Sequence, residues 1–167
     1  MFVKASQILN QPVFAQKEET RVGRVVEILI DPQNTQLLGF LITQPFSKPR
    51  LVSDIDVLQI FPEGILINSA DSLIEPTEVV KVAQILEEKI KVLGAKVETE
   101  SGKKLGQVED FVLETQTGSL IKIYIRGGFF LPSLILPVES IIRIKRDKVI
   151  VSDQFLDNSE TVEVFPA

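Results

Sequence analysis

The sequence contains neither cysteine nor histidine, has no tryptophan, and has only one tyrosine and one methionine. The absence of cysteine excludes disulfides, thiolate metal ligands and cysteine nucleophiles. The absence of histidine excludes Ser-His-Asp and Cys-His catalysis, together with zinc sites of the usual nitrogen and sulfur type. A metal would need a site made entirely of oxygen ligands. The sequence therefore predicts no catalytic set, no metal site and no bound cofactor.

Long apolar runs are also missing. No stretch approaches the roughly 18 to 20 apolar residues of a membrane span, and the N-terminus lacks the pattern of a signal peptide. The 18 Lys and Arg are outnumbered by 23 Asp and Glu, and the net charge of -5 disfavours non-specific binding of nucleic acid. We expect a soluble, cytoplasmic protein without a transmembrane segment, which leaves peripheral contact with a membrane complex open.

What the chain does contain is an internal repeat. Residues 22–42 lie over residues 105–125 at a constant offset of 83, so that Gly23 meets Gly106. In each copy a glycine is followed at fixed spacing by a valine, an acid, three apolar residues and a second acid. The chain is therefore expected to hold two copies of one folding unit.

Alternation of apolar residues predicts strands in both copies. We expect Leu38, Phe40 and Ile42 to share one face of the second strand of the first copy. The equivalent residues of the second copy are Ile121, Ile123 and Ile125. Turn-forming residues before each of these strands make the repeated segment a hairpin.

The first strand of each hairpin needs an irregularity. Val25 and Ile28 are three residues apart, as are their equivalents in the second copy. Residues three apart cannot share one face of an unbroken strand, so a β-bulge is expected near Glu27 and Asp110.

The copies extend beyond the hairpin in both directions. Residues 12–14 are expected to match residues 95–97 as a leading strand, and residues 53–58 are expected to match residues 136–141. On this alignment the second copy has one extra residue after position 141. Five or six short antiparallel strands in each copy favour a small barrel. The predicted fold is thus mainly β, with two small antiparallel barrels in tandem.

A helical linker is predicted between the barrels. Pro76 suits a first helical turn, Gly94 suits a stop, and Glu87 with Lys91 suits an i,i+4 pair. The apolar stripe is formed by Val79, Ala83, Leu86 and Ile90. Such a stripe favours a helix packed against one or both barrels, and a short helix for binding a partner remains the alternative. The expected boundaries are 1–75 for the first barrel, 76–92 for the linker, 93–152 for the second barrel and 153–167 for an acidic tail. The tail is expected either to add a strand or to be disordered.

The repeated motif resembles that of the PRC-barrel family. It runs from Gly23 to Asp31 and again from Gly106 to Glu114, followed by a turn, an apolar strand, a loop and, in the second copy, a Pro-Val-Glu segment at 137–139. The resemblance covers most of both copies. The family includes the cytoplasmic domain of the photosynthetic reaction-centre H subunit and the C-terminal domain of RimM-type ribosome-maturation factors.

The resemblance implies an interaction or assembly module that is not an enzyme. Its first expected partner is a protein or multi-subunit complex, photosynthetic or otherwise attached to a membrane. The alternatives are a ribosome- or RNA-associated maturation factor and a barrel that binds a small ligand or ion. The sequence shows neither the transmembrane helix of the H subunit nor the additional N-terminal barrel of the ribosomal factor. No functional residue of those proteins is therefore transferred to this chain.

The most unusual segment follows the hairpin of the second copy. Its predicted partner-binding residues are Arg126, Gly127, Gly128, Phe129, Phe130 and Leu131. Two interpretations are open: the loop folds back over the barrel or the linker, or it is an exposed apolar surface. Such a surface would contact a protein, a second copy in a homodimer or a membrane. The first copy is less apolar at the matching residues 44–50. The predicted binding surface therefore belongs to the second copy.

A short basic hairpin is the second candidate site. Its cations are Arg143, Lys145, Arg146 and Lys148. Alternation places Arg143 and Lys145 on one face, where they would contact a phosphate or RNA, but no aromatic residues are interleaved for base stacking. A solvated hairpin tip is the interpretation we favour, and nucleic acid is not an expected partner.

The carboxylates are expected to be structural. Asp54 and Asp56 are expected to flank an inward-pointing Ile55, and Glu27 and Asp110 are expected to serve the bulge and the turn. General acid-base catalysis would need a cleft and a shifted pKa, which a sequence does not show.

Overall fold

The computed structural model of the protein describes residues 1–157 and 163–164. Two β-barrel-like units are joined by a short helix. A short N-terminal segment, formed by β1 (Phe2–Lys4) and α1 (Ala5–Ile8), precedes the first unit. The strands of the first unit are β2 (Pro12–Ala15), β3 (Thr20–Ile30), β4 (Leu37–Thr43), β5 (Arg50–Ser53), β6 (Val57–Phe61) and β7 (Gly64–Ile67).

The second unit follows the linker helix α2 (Val80–Glu88). Its strands are β8 (Lys96–Thr99), β9 (Lys104–Glu114), β10 (Ser119–Arg126), β11 (Leu134–Pro137), β12 (Ile141–Lys145) and β13 (Lys148–Val151). The chain continues into α3 (Gln154–Asp157) and β14 (Glu163–Val164). The backbone of β14 pairs with β11, so part of the tail adds a strand to the second sheet.

The two sheets repeat one strand order. The first runs β5-β4-β3-β2-β7-β6 and the second runs β11-β10-β9-β8-β13-β12, with β14 beside β11. This arrangement confirms the predicted mainly β fold in two units. All these pairs are antiparallel except β2 with β7 and β8 with β13, which are parallel. The alternation of side chains does not reveal that one pair in each unit is parallel.

The predicted bulge is present in both hairpins. Val25 pairs with Ile42 and Glu27 pairs with Leu41, so Val26 is the extra residue of β3. The corresponding shift in β9 leaves Glu109 between the paired residues. The extra residue restores the inward direction of the strand beyond it, as a bulge does.

A second bulge contradicts the face predicted for β4 and β10. Leu37 is paired and buried in the main core with Phe40, whereas Leu38 is displaced to the opposite face. In the second unit Leu120 is buried and Ile121 is displaced in the same way. The prediction that Leu38 and Ile121 lie with the inward residues was wrong because two adjacent apolar residues make the alternation ambiguous at this point.

The leading strand of the second copy matches that of the first one residue later in the sequence than expected. Val13 and Val97 are both buried, and each pairs with the motif glycine of the neighbouring strand. Pro12–Ala15 therefore corresponds to Lys96–Thr99.

The position predicted for the extra residue of the second copy was also wrong. Ser53 pairs with Gly39, and Pro137 occupies the same place opposite Lys122. The extra residue therefore lies in the loop at 127–133 that precedes β11, and not after position 141. The insertion falls within the Phe-containing segment itself.

The linker helix packs against the first barrel, as its apolar stripe predicted. It is shorter than expected, since Lys89 adopts a left-handed conformation at φ 54° and ends it. Its buried residues are Val82 and Ile85. The buried face of the helix is therefore rotated relative to the predicted stripe, which contained Ala83. Val82 packs on the outer face of the first sheet, against Leu29, Leu41 and Leu51. The ammonium of Lys91 lies near a carboxylate of the first barrel, 3.9 Å from Glu27, and not at the pair expected with Glu87.

The segment that leads into each barrel contacts the other barrel. Strand β1 pairs with the end of β9, and α1 packs beside the same strand. Residues 91–93, which lead into the second barrel, lie beside residues 26–28 of the first. Most buried apolar side chains of both units consequently form one continuous cluster, separate from the smaller one under the linker helix.

Candidate functional site

The loop at 127–133 is a defined turn that projects two phenylalanines. Leu131 donates its N–H to the carbonyl of Gly128 at 3.0 Å. A Cβ on Gly127 would lie 2.3 Å from the carbonyl oxygen of Leu131, so the tight path of this loop requires glycine there. The Phe129 and Phe130 rings meet edge to face, with centroids 5.1 Å apart and planes at 77°.

The two rings are turned away from the protein. Phe129 is 96% exposed and Phe130 is 92% exposed, and Leu131 beside them is also exposed. These rings do not fold back over the barrel or the linker. The guanidinium of Arg126 lies 3.1 Å from a carboxylate oxygen of Glu109, so the cation next to the loop is paired. The loop therefore presents an apolar surface, and the arginine that precedes it in the chain is paired.

The first barrel carries an exposed phenylalanine in the equivalent loop. Phe46, in the loop between β4 and β5, is fully exposed and has a φ of 60°. The alignment of the two internal copies matched these loops, but Phe46 was not predicted as a site because the residues around it are less apolar. The signal was present, since Phe46 occupies in the first copy the loop that carries Phe129 and Phe130 in the second.

Two arginines of β3 lie beside the start of the Phe46 loop. A depression of about 610 Å³ borders the start of the loop and includes Arg21 and Arg24 from β3 together with Gln44 and Pro45. The Gln44 amide donates to the carbonyl of Val22 at 2.6 Å, which holds the start of the loop against β3. The loop and the start of β5 add Lys48 and Arg50. The two loops are therefore equivalent in position and different in charge.

The first acids of the motif attach each barrel to the segment that leads into the other. Asp110 of the second barrel accepts hydrogen bonds from the N–H and the hydroxyl of Ser6 in α1, the former at 3.1 Å, and from its neighbour Phe111 N–H. Glu27 of the first barrel faces Lys91 of the linker. Burial raises the pKa of Glu27, and Lys91 partly offsets that rise.

The closing acids repeat this arrangement. Asp31 is buried and accepts from the Lys81 ammonium at 2.7 Å. Burial acts to raise its pKa, but the hydrogen bonds from Lys81 and from turn N–H groups outweigh burial and lower the pKa. Glu114 accepts from the amino group of Met1 at 2.9 Å and from Thr117 N–H at 2.7 Å, which lowers its pKa to about 2. All four motif acids thus have structural partners.

The comparison with protein families agrees with this repeated motif. A family model described as the PRC-barrel domain matches residues 1–74 and 91–154. The chain belongs to the PRC-barrel family. The two matched segments confirm the tandem arrangement of PRC barrels that the sequence predicted. No curated protein sequence matches the chain. Membership of the family indicates a general role in interaction or assembly.

The basic hairpin of the second PRC barrel brings Arg143, Lys145 and Arg146, but not Lys148, to one depression beside the linker helix. Arg143 and Lys145 are both exposed on one side of the buried Ile144, as alternation predicted. Arg146 lies 3.9 Å from a carboxylate oxygen of its neighbour Asp147. Lys148 lies 3.3 Å from Glu98, and so only part of the positive charge of this hairpin faces solvent without a partner.

The PRC barrels place the remaining carboxylate candidates at turns. Asp54 and Asp56 belong to a 3-10 turn in which Ile55 is 84% exposed, so the prediction of an inward Ile55 was wrong. Glu18 accepts from Ala70 N–H and the Ser69 hydroxyl, and these hydrogen bonds lower its pKa.

Asp153 in the second barrel has a similar structural position. It accepts from the N–H and the hydroxyl of Ser101, and its hydrogen bonds lower its pKa. Across residues 1–157 and 163–164, no three His, Cys, Asp or Glu residues are grouped to hold a metal. No helix in that same part of the chain is long and apolar enough to cross a bilayer.

Proposed function

We propose that this PRC-barrel protein is a non-enzymatic assembly module that binds a protein partner through the loop at 127–133. The observation that carries the proposal is the pair of exposed, mutually packed rings of Phe129 and Phe130. Aromatic side chains at the centre of a contact supply much of the binding energy of protein interfaces. The turn between Gly128 and Leu131 fixes the loop before binding, which reduces the entropy lost in the complex.

The charge of this loop favours a protein over a charged ligand. Arg126 is already paired with Glu109, so the rings lie beside a neutral ion pair. The side chains that contribute to such a contact, Phe129, Phe130 and Leu131, are all apolar. We favour a subunit of a photosynthetic or other membrane complex as the partner, by analogy with the barrel of the reaction-centre H subunit.

The non-enzymatic part of the proposal rests on the motif carboxylates. Asp31 and Glu114, whose pKa values are lowered, accept hydrogen bonds from fixed donors of the fold. A general base is instead expected to have a pKa near the working pH and an open approach for substrate. Glu27 has a raised pKa, and burial next to the linker accounts for it.

Affinity purification from the source organism tests the proposal. The native chain should retain a protein complex that a Phe129→Ser/Phe130→Ser double variant loses, because the variant removes both rings without altering the core. A Leu58→Ser variant is the matched control, since Leu58 is also an exposed apolar residue but lies on β6. Leu58→Ser should retain the complex.

Three results would overturn the proposal. The double variant retaining the same proteins would remove the loop from the contact. Recovery of ribosomal proteins would favour the maturation-factor alternative. Sedimentation showing that the native chain self-associates through the rings, with no other protein bound, would make the loop a homodimer contact instead.

A further inference from the structure

Phe46 occupies the third position of a turn that is closed by the Ser47 N–H on the carbonyl of Gln44, and this position favours a positive φ. Its φ of 60° lies in the left-handed region, which a bulky side chain adopts at a steric cost and which glycine or asparagine adopts more readily. Its ring is fully exposed and contributes nothing to the core. The turn accounts for the backbone conformation but not for the choice of a large, fully exposed ring, which makes Phe46 a candidate for a contact outside the chain.

The surroundings of Phe46 are positively charged. Among the described residues, no carboxylate lies within 4.0 Å of the cationic nitrogens of Arg21, Arg24 or Lys48. Only Arg50 is paired, with Glu75 at 3.0 Å. The whole chain has a net charge of -5, so this region differs in sign from the molecule as a whole. A binding partner of this region should therefore carry negative charge.

A projecting aromatic residue with unpaired cations beside its loop fits an anionic bilayer. In that setting the apolar side chain enters the boundary between headgroups and acyl chains, while the cations are attracted by the charged lipids. A protein partner would need a broad surface, about 800 Å² on each side, and one projecting ring offers little of it. A single-stranded nucleic acid would need several stacking rings along a groove.

We propose that the Phe46 surface, formed by Phe46, Arg21, Arg24, Lys48 and Arg50, docks the first barrel on an anionic membrane. Phe46 enters the lipid interface, and the depression beside it, lined by Arg21 and Arg24, faces the lipid phosphates. This proposal goes beyond the protein contact assigned to the second barrel and rests on different residues.

Co-sedimentation with vesicles tests the proposal. The full chain should bind vesicles of phosphatidylcholine mixed with phosphatidylglycerol and should not bind vesicles of phosphatidylcholine alone. Phe46→Gly should weaken binding by about tenfold or more, because it removes the one inserted side chain. Arg21→Gln/Arg24→Gln should also weaken binding by about tenfold or more, because each cation near a charged surface contributes to the attraction.

Two control variants separate this surface from general effects. Leu58→Ser removes an exposed apolar residue elsewhere on the first barrel and should bind vesicles as the native chain does. Lys89→Gln/Lys96→Gln removes two exposed cations outside the Phe46 surface and should also bind as the native chain does. Phe46→Gly should melt no lower than the native chain, because glycine relieves the left-handed conformation.

Several results would overturn the proposal. Equal binding to both kinds of vesicle, or unchanged binding by Phe46→Gly, would contradict an anionic docking surface. Displacement from vesicles by inorganic phosphate at constant ionic strength would make the depression a site for a soluble anion. Tighter binding to single-stranded RNA through the same residues would assign the surface to nucleic acid. The Phe129→Ser/Phe130→Ser variant should still bind vesicles, so failure here and failure of the protein contact are distinguishable.

Discussion

At the scale of single residues, the motif acids are distinguished by how fully their charges are compensated. Asp31 is 2% exposed, and its charge depends on the Lys81 ammonium at 2.7 Å together with turn N–H groups. Glu27 has only a distant cation, Lys91, and burial dominates its pKa. Two acids of one short motif therefore contribute to stability in opposite directions near neutral pH.

Removing Lys81 should expose this dependence. Lys81→Met leaves the buried Asp31 carboxylate without its cation, and we expect a loss of about 1–2 kcal/mol in the free energy of unfolding at pH 7, moderated because Lys81 is itself half exposed. The lowered pKa of Asp31 stabilises the fold above its unfolded value of about 3.9, and that stabilisation is lost as the pH falls. Urea unfolding should therefore show the difference between variant and native chain shrinking below about pH 4.

The exposed ion pair of Arg50 and Glu75 supplies a comparison for Lys81→Met. Arg50→Met should change the unfolding free energy by at most about 1 kcal/mol, since both partners face solvent. A loss for Lys81→Met that is no larger than this, or that does not depend on pH, would contradict the role given to Asp31.

At the scale of elements, close contact between β9 and β10 explains the motif glycine. A Cβ on Gly106 would lie 1.9 Å from the carbonyl oxygen of Arg126, at the point where β10 enters the loop with the two rings. Gly23 has the same position in the first hairpin, where a Cβ would lie 2.6 Å from the carbonyl oxygen of Thr43. The motif glycine therefore permits the strands to approach at the base of each Phe loop.

Gly106→Ala should separate these strands. We expect a loss of about 2–4 kcal/mol in the free energy of unfolding, since the added methyl group meets backbone that has no alternative rotamer. Gly94→Ala is the matched variant: Gly94 also has a positive φ, of 77°, but a Cβ there would have no neighbour within 4 Å. It should cost only about 1 kcal/mol. Chemical denaturation measures both, and equal losses would show that backbone conformation alone requires glycine at position 106.

The elements also show how far the sequence predicts this fold. The hairpins and their first bulge were predictable, because two copies placed buried residues such as Val25 and Val108 at the same irregular spacing. The second bulge was not, since Leu37 and Leu38 are both apolar and either suits the core. The phase of α2 was ambiguous for the same reason. Each leading segment contacts the opposite barrel through residues that are distant in sequence. Local sequence patterns do not predict such contacts.

The candidate surfaces were predictable to different degrees. Phe129 and Phe130 were identified by composition, and the structure shows that their rings are exposed. Arg21 and Arg24 belong to β3 and are distant in sequence from Phe46, so only the fold shows that they lie beside the start of its loop. The aromatic residue itself was visible in the alignment of the two copies, and composition alone gave it too little weight.

At the scale of the whole molecule, the two barrels share one core. The apolar cluster runs from Val3 and Ile8 in the N-terminal segment through the buried strands of both barrels. Strand β1 completes the edge of β9, so the second barrel depends on residues that precede the first. Mutual dependence of this kind makes unfolding cooperative across the units.

Calorimetry should therefore detect a single transition. We expect a calorimetric enthalpy equal to the van't Hoff enthalpy for the full chain, because neither barrel keeps its packing when the other unfolds. Ala5→Asp, which places a charge at a fully buried position of α1, should lower the melting temperature of that one transition without dividing it. Two resolved transitions, in the native chain or in the variant, would show that the barrels fold independently.

The crossed leading segments also bear on how such a chain arose. A protein with one barrel and one such segment would leave its own hairpin edge uncovered, and a second copy would cover it by reciprocal exchange. The ancestor that this geometry implies is a symmetric dimer with swapped segments. Duplication and fusion would join its two subunits, with the linker as the seam. Once joined, the two loops would be free to diverge, and in the present chain they differ by one residue, by a second phenylalanine and in their cations.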